Sequence, residues 1–236
     1  MLKNLKLLLV ALLVLGLSAN VFAISGPTYS GGNGTEGNPY KIATAEDLIE
    51  LSTYKYHWGA HFIQTADIAF DSDSSKVDWD NDGTTWGADE NEDKLGFSPI
   101  GDNSDNSAAT RFSGTYNGAG HTIANLFINR SSQSYVGLFG FVYGSSARVD
   151  SLGVTNGSVS GNQHVGGVAG INDNGTVSSC YATGDVSGSQ YVGGCVGSNT
   201  DKVEKSYWNK DSIATGIALG TTTGATGLST EQMKAI

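Results

Sequence analysis

The densest set of potential metal-ligand oxygens lies at Asp78-Trp79-Asp80-Asn81-Asp82-Gly83, a D-x-D-x-D-G run. With Asp78 as position 1, Asp80, Asp82 and Thr84 fall at positions 3, 5 and 7, Gly83 at 6 and Asp89 at 12. Hard Ca²⁺ takes about six to eight oxygens, and Gly at position 6 permits the sharp turn around the ion. Asp78, Asp80, Asp82, Thr84 and Asp89 are therefore the candidate Ca²⁺ ligands. The ion would be structural, with an extracellular-type affinity of about 10⁻⁴ to 10⁻³ M. Position 12 is Asp where Glu is usual, and Thr85 stands at position 8 where an apolar residue is usual. A solvated acidic loop without metal is the competing reading.

Other chemistry is thinner. His57 and His61 are four apart, but Trp58 stands where a metalloprotease helix needs Glu, and Gly59 weakens any helix. Gly32 to Gly37 spells G-x-G-x-x-G, yet no apolar strand precedes it and Glu36 would repel a phosphate. The chain has no serine nucleophile elbow and no Cys/His ligand cluster. Asp150, Asp173, Asp185 and Asp201 could line one face of a β-solenoid, as in polysaccharide-degrading enzymes, but their spacing fixes no pair. Tyr54, Tyr56, Trp58, Trp79, Trp86 and Phe97 gather near the acidic stretch. They read as packing for that stretch, with sugar stacking as the alternative. No catalytic or cofactor-binding residue is assigned.

These residues must be positioned by β-structure. The 236 residues include 33 Gly and only 3 Pro, and charged residues make up 15%. That much Gly disfavours helical bundles, where each costs about 1 kcal/mol against Ala. A hydrophobic fraction of 39% disfavours disorder. The net charge of −10 argues against nucleic acid, which needs basic patches. Thr44 to Ser52 reads as a short helix with Thr44 as N-cap and Glu46 and Asp47 in its first turn, a cap for the first coil.

Lys3 and Lys6 precede an apolar run from Leu7 to Leu17, and Val21-Phe22-Ala23 supplies a cleavage site. This pattern is a signal peptide over residues 1–23, so the chain is expected to be exported, with no later membrane span. Export permits disulfides, but Cys180 and Cys195 align with different columns of the repeat described next. Two buried free thiols are expected rather than a bridge.

The second half repeats. Tyr135-Val136-Gly137-Leu138-Phe139-Gly140 returns at His164 to Gly170 and again at Tyr191 to Gly197. Val136, Val165 and Val192 are 29 and 27 residues apart. Val149, Val177 and Val203 correspond, as do Leu152, Cys180 and Ser206. A unit with about three short strands cannot bury its own apolar face, so the units must stack as coils. Equivalent residues then form inward ladders about 4.8 Å apart, and Tyr135, His164 and Tyr191 stack beside the first ladder.

These segments, YVGLFG, HVGGVAG and YVGGCVG, resemble the repeated hexamer of secreted bacterial proteins that carry the GLUG motif. The likeness extends to Gly34–Ile42, Thr44–Leu48, Phe112–Leu126, Ser206–Trp208 and Gly227–Met233. It implies an all-β, right-handed parallel β-helix of roughly 27-residue coils, with a short N-terminal capping helix and an acidic loop insertion. The expected organisation is signal peptide 1–23, cap and first coils 24–70, acidic insertion 71–110, repeats 111–212 and exit segment 213–236. The first copy lacks one Gly, and related chains commonly continue past the position of Ile236, so this is either a short member or a chain that ends early, which leaves the C-terminal cap of the solenoid open. The implied function is a non-catalytic module for adhesion or interaction at the cell surface or outside the cell, facing an extracellular protein or carbohydrate surface. The alternatives are a polysaccharide-active β-helix enzyme and a fragment of a larger adhesin.

Overall fold

In each repeat an apolar residue stands between two polar ones, as Val149 does between Arg148 and Asp150, so a strand buries the middle residue and exposes its neighbours. A computed structural model describes residues 27–80, 93–213 and 215–235. The expected signal peptide and Asp82, Thr84, Trp86 and Asp89 lie outside these residues. Short parallel strands dominate, stacked coil upon coil into five sheets. The first sheet takes Tyr40–Ile42, His61–Gln64, Thr115–Asn117, Arg148–Asp150, Thr176–Ser178 and Lys202–Glu204. The second takes Ile68–Ala69, Thr122–Ala124, Gly153–Thr155, Tyr181–Ala182, Ser206–Asn209 and Ala225–Leu228. The third holds Phe127–Asn129, Ser158–Ser160 and Asp185–Ser187, and the fourth Gln163–Gly166 and Gln190–Gly193. The fifth holds Phe139–Tyr143, Ala169–Asp173, Val196–Asn199 and Ile217–Gly220.

From Arg148 the chain visits all five sheets in turn and returns to the first one rung higher, which makes it a parallel β-helix. Parallel crossovers of this kind take a right-handed sense. The expectation of about three strands per coil was too low. From Arg148 to Asp173 one coil holds five strands of three to five residues, and left-handed residues at Ser151 and Asn156 turn the chain between the first three. Ser151, Ser179 and Lys205 form one such column, with φ of 54°, 53° and 46°.

The inward ladders follow the repeat. Tyr116, Val149, Val177 and Val203 stand in register, as do Val136, Val165 and Val192. Ile123, Val154, Ala182 and Trp208 form a third column. Val149, Val165 and Val177 are fully buried, and each contributes about 1.5–3 kcal/mol by burial. Glycine is required where two coils meet backbone to backbone. A Cβ on Gly166 would lie 2.2 Å from the Ala169 oxygen and 2.8 Å from the Cys195 oxygen, and one on Gly197 would lie 2.5 Å from the Val165 nitrogen.

The core also contains a polar ladder that the sequence reading missed. Asn172 and Asn199 are adjacent in register and fully buried. Asn172 Nδ2 donates to Asn199 Oδ1 at 2.8 Å and to the Gly175 carbonyl at 3.0 Å, and Asn199 Nδ2 donates to the Thr221 carbonyl at 2.9 Å. These amides satisfy the turn carbonyls between the fifth and first sheets, where a buried unpaired carbonyl would be costly.

Helix α1, Ala45–Thr53, covers the N-terminal end as expected. Thr44 and Asp47 form a capping box, and Leu48, Ile49 and Leu51 are buried. Asp47 also accepts from Ser30 Oγ at 2.6 Å and from the Ala43 amide at 2.8 Å. At the other end a short helix α2, Thr230–Met233, carries a Ser229–Gln232 capping box and buries Met233.

Candidate functional site

The outward face of the first sheet carries two polar columns. His61, Thr115, Arg148, Thr176 and Lys202 form one, and Asn117, Asp150, Ser178 and Glu204 the other. Arg148 Nη2 lies 3.1 Å from Asp150 Oδ1 and donates to Ser178 Oγ at 2.9 Å, and Ser178 Oγ donates to Asp150 at 2.5 Å. Lys202 pairs with Glu204 at 3.0 Å. His61 Nδ1 and Thr115 Oγ1 are 2.8 Å apart. A shallow depression of about 280 Å³ opens here, lined by Glu36, His61, Thr115, Asn117, Arg148 and Asp150. Exposed ion pairs contribute only about 0–1 kcal/mol each. Their effect is to balance the charge of the face and to hold its hydrogen-bonding groups in a fixed array.

A second feature lies at the corner of the fourth sheet. The rings of Tyr135 and His164 stack at 5.1 Å and 17°, and those of His164 and Tyr191 meet at 4.8 Å and 30°. All three residues have φ between 54° and 63°, an uncommon backbone state for bulky side chains. The coil-to-coil stack holds them there. His164 Nδ1 lies 2.6 Å from Ser198 Oγ, and burial lowers the His164 pKa from its ordinary value. Arg111 lies over Phe141 and Tyr143 at 4.5 and 4.6 Å, a cation–π pairing.

Of the candidate Ca²⁺ ligands, Asp78 and Asp80 lie in the described chain at half-buried positions beside the buried Trp79. Asp82, Thr84 and Asp89 lie outside it. Phe70, Trp79 and Phe97 pack together, with centroids 4.8 Å apart for Phe70–Trp79 and 6.2 Å for Phe70–Phe97. Trp58 is buried and donates to the Leu51 carbonyl at 2.8 Å. The packing reading therefore holds for Trp58, Trp79 and Phe97. It fails for Tyr56, which is 92% exposed. His57 stacks on Tyr40 at 4.9 Å and 13°, away from the His61–Thr115 pair. Asp150, Asp173 and Asp185 stand in register with Ser178, Tyr143 and Ser158, so none stacks on another of the four carboxylates. Cys180 and Cys195 are buried and unbridged. Among the described residues no helix is long and apolar enough to cross a membrane.

The buried asparagine pair has a signal in the sequence. Asn172 and Asn199 are 27 residues apart and each follows its glycine hexamer by two residues.

Comparisons with known proteins agree with the repeat. Residues 161–187 match the GLUG motif. The chain is 34% identical over 155 residues to halomucin of Haloquadratum walsbyi, which covers 64% of this chain and 2% of that protein. It is 36% identical over 129 residues to a protein of Evansella cellulosilytica described as a Gly-rich membrane protein, covering 54% of this chain and 12% of that one. The chain thus spans a small part of the length of either relative. Among solved structures it is similar to a Bacteroides ovatus protein described as a candidate immunoglobulin A1 protease, with 18% identity, a TM-score of 0.47 and coverage of 77% of this chain and 58% of that one. The repeated glycine segments build the coil ladders, and residues 161–187 among them match the GLUG motif.

Proposed function

We propose that the protein is an exported, non-catalytic β-solenoid module, held at the cell surface or released outside the cell, where it serves adhesion or interaction. The observation that carries this reading is the outward face of the first sheet. Its hydroxyl, amide and ion-paired groups recur on successive rungs, and Asp150 already accepts from Ser178 and pairs with Arg148. Such a face offers a regular array of hydrogen-bonding groups for contact. The names of the relatives, a halomucin and a Gly-rich membrane protein, are consistent with a place at or beyond the membrane. The acidic composition is consistent with a partner that is not nucleic acid.

The test has two arms. An epitope-tagged chain expressed in a bacterial host should be recovered outside the cytoplasm, beginning at Ile24, and the purified protein should release no reducing ends from polysaccharides. Recovery of the uncut chain in the cytoplasm, or release of reducing ends lost in Asp150→Asn, would contradict the reading.

A further inference from the structure

We infer that the groove between the Tyr54–Tyr56 turn and the 105–110 loop binds a neutral polysaccharide, with a pyranose ring stacked on Tyr56. The inference rests on the extracellular reading above for access to such a ligand. Among the described residues only Tyr56, Tyr191 and Leu219 are large apolar side chains left exposed, and Tyr56, at 92%, is far the most exposed. Its position is set from behind. Tyr40 stacks on His57, the ring of His57 meets that of Tyr54 edge-on at 4.8 Å, and Tyr54 meets Tyr56 at 5.8 Å and 68°. An anchored aromatic chain therefore ends in one ring presented to solvent on the 3₁₀ turn Lys55–His57.

The facing wall is polar and equally fixed. Asp105 Oδ1 accepts from the Ser107 amide at 2.9 Å and from Thr110 Oγ1 at 2.8 Å. Those hydrogen bonds hold the Asp105 carboxyl below its ordinary pKa, so it stays an acceptor at neutral pH. Lys55 Nζ pairs with Asp102 Oδ2 at 2.8 Å, tying the two walls together. The groove they enclose has a volume of about 420 Å³, within the range of small-ligand sites, about 300–1,000 Å³.

An aromatic face opposite fixed carboxylate and hydroxyl groups matches the two sides of a pyranose, whose C–H face is apolar and whose rim carries hydroxyls. A protein partner would need about 800 Å² with an apolar centre, and Tyr56 has no exposed apolar neighbour of its size. The lining holds one carboxylate, Asp105, beside the Lys55 ammonium already paired with Asp102, and the net charge of −10 disfavours polyanions. Neutral glycans remain.

The experiment is affinity electrophoresis of the exported protein in gels containing hydroxyethyl cellulose, xylan or galactomannan, with alginate as the polyanion. The wild type should be retarded by at least one neutral polymer and not by alginate. Tyr56→Phe should bind as the wild type does, Tyr56→Ala should lose at least tenfold in affinity, and Asp105→Asn should lose severalfold. Unchanged circular dichroism of Tyr56→Ala, expected for so exposed a side chain, excludes misfolding as the cause. No retardation in any neutral polymer, or retardation unchanged in Tyr56→Ala, would overturn the inference. If Arg148→Ala/Lys202→Ala abolished binding that Tyr56→Ala kept, the groove would fall while the surface-module reading stood.

Discussion

Replacing Gly166 by Ala places a methyl group where two coils touch through their backbones. The new Cβ would sit 2.2 Å from the Ala169 oxygen, 2.8 Å from the Cys195 oxygen and 2.8 Å from the Gly197 nitrogen. No rotamer relieves this, because the crowding atoms are backbone. The only escape is to part the rungs. The bonds nearest the clash are Gly166 N to Val136 O at 2.9 Å, Val168 N to Cys195 O at 3.0 Å and Ala169 N to Cys195 O at 3.2 Å. Losing one or two of them costs about 1 kcal/mol each, and the overpacking itself about 1–3 kcal/mol. The expected destabilisation is about 2–5 kcal/mol. At about 2–4 °C per kcal/mol for a chain of this size, the thermal midpoint should fall by about 5–15 °C. The assay is circular dichroism at the β-sheet minimum during heating. Gly37→Ala is the control, because its Cβ meets nothing within 4 Å. A Gly166→Ala midpoint within about 2 °C of that control would refute the claim that the hexamer glycines exist for coil contact.

Three more outcomes follow from the same geometry. His164 is lowered by burial below its unfolded pKa of about 6.5. The unfolded chain therefore binds the proton first, so the contribution of His164 is complete above pH ~6.5 and is lost as pH falls towards the folded pKa. The midpoint should drop between pH 7 and pH 5, and His164→Tyr, the residue at the same place in the flanking coils, should drop less. An equal drop would mean that His164 is not the source. Burial pushes the Cys180 thiol up to about 12 and raises Cys195 as well. Native protein at pH 8 should show no thiol titre with an aromatic disulfide reagent and two thiols in guanidinium, whereas no titre after denaturation without reductant would reveal a bridge. If the Asp78–Asp89 run holds Ca²⁺ with a Kd near 10⁻⁴ M, then ~10 mM Ca²⁺ adds about 2.7 kcal/mol. The midpoint should then rise by about 5–10 °C over chelator and Asp82→Ala should remove the rise. An indifferent midpoint in the wild type would remove the metal.

The solenoid was legible because it is written twice, once in the hexamers and once in the valines between them. Val149, Val177 and Val203 occupy one column as their spacing required, and Thr44 with Asp47 caps α1. What could not be read was how tightly the coil turns. Ser151, Ser179 and Lys205 have left-handed backbones although none is Gly or Asn. The cost of that conformation is met by hydrogen bonds to the next coil, such as Ser151 N to Ser178 O at 3.0 Å, which no local propensity reveals. The Asn172–Asn199 ladder was missed for a similar reason. Amide side chains usually mark surface turns, and their burial follows only once two coils are stacked. Of the aromatics, composition could not separate Tyr56 from Trp58. Two residues apart on a 3₁₀ turn, one faces solvent and the other donates to the carbonyl of Leu51.

The central claim is that residues one repeat apart are direct neighbours in register. It is tested most directly by methyl–methyl nuclear Overhauser contacts in valine-labelled protein. The account predicts contacts from Val149 to Val177, from Val177 to Val203, from Val136 to Val165 and from Val165 to Val192, with Val149 to Val203 far weaker at twice the rung spacing of about 4.8 Å. Strong contacts between valines of consecutive strands within one unit, such as Val154 facing Val159 across an antiparallel hairpin, with none across a full repeat, would contradict it.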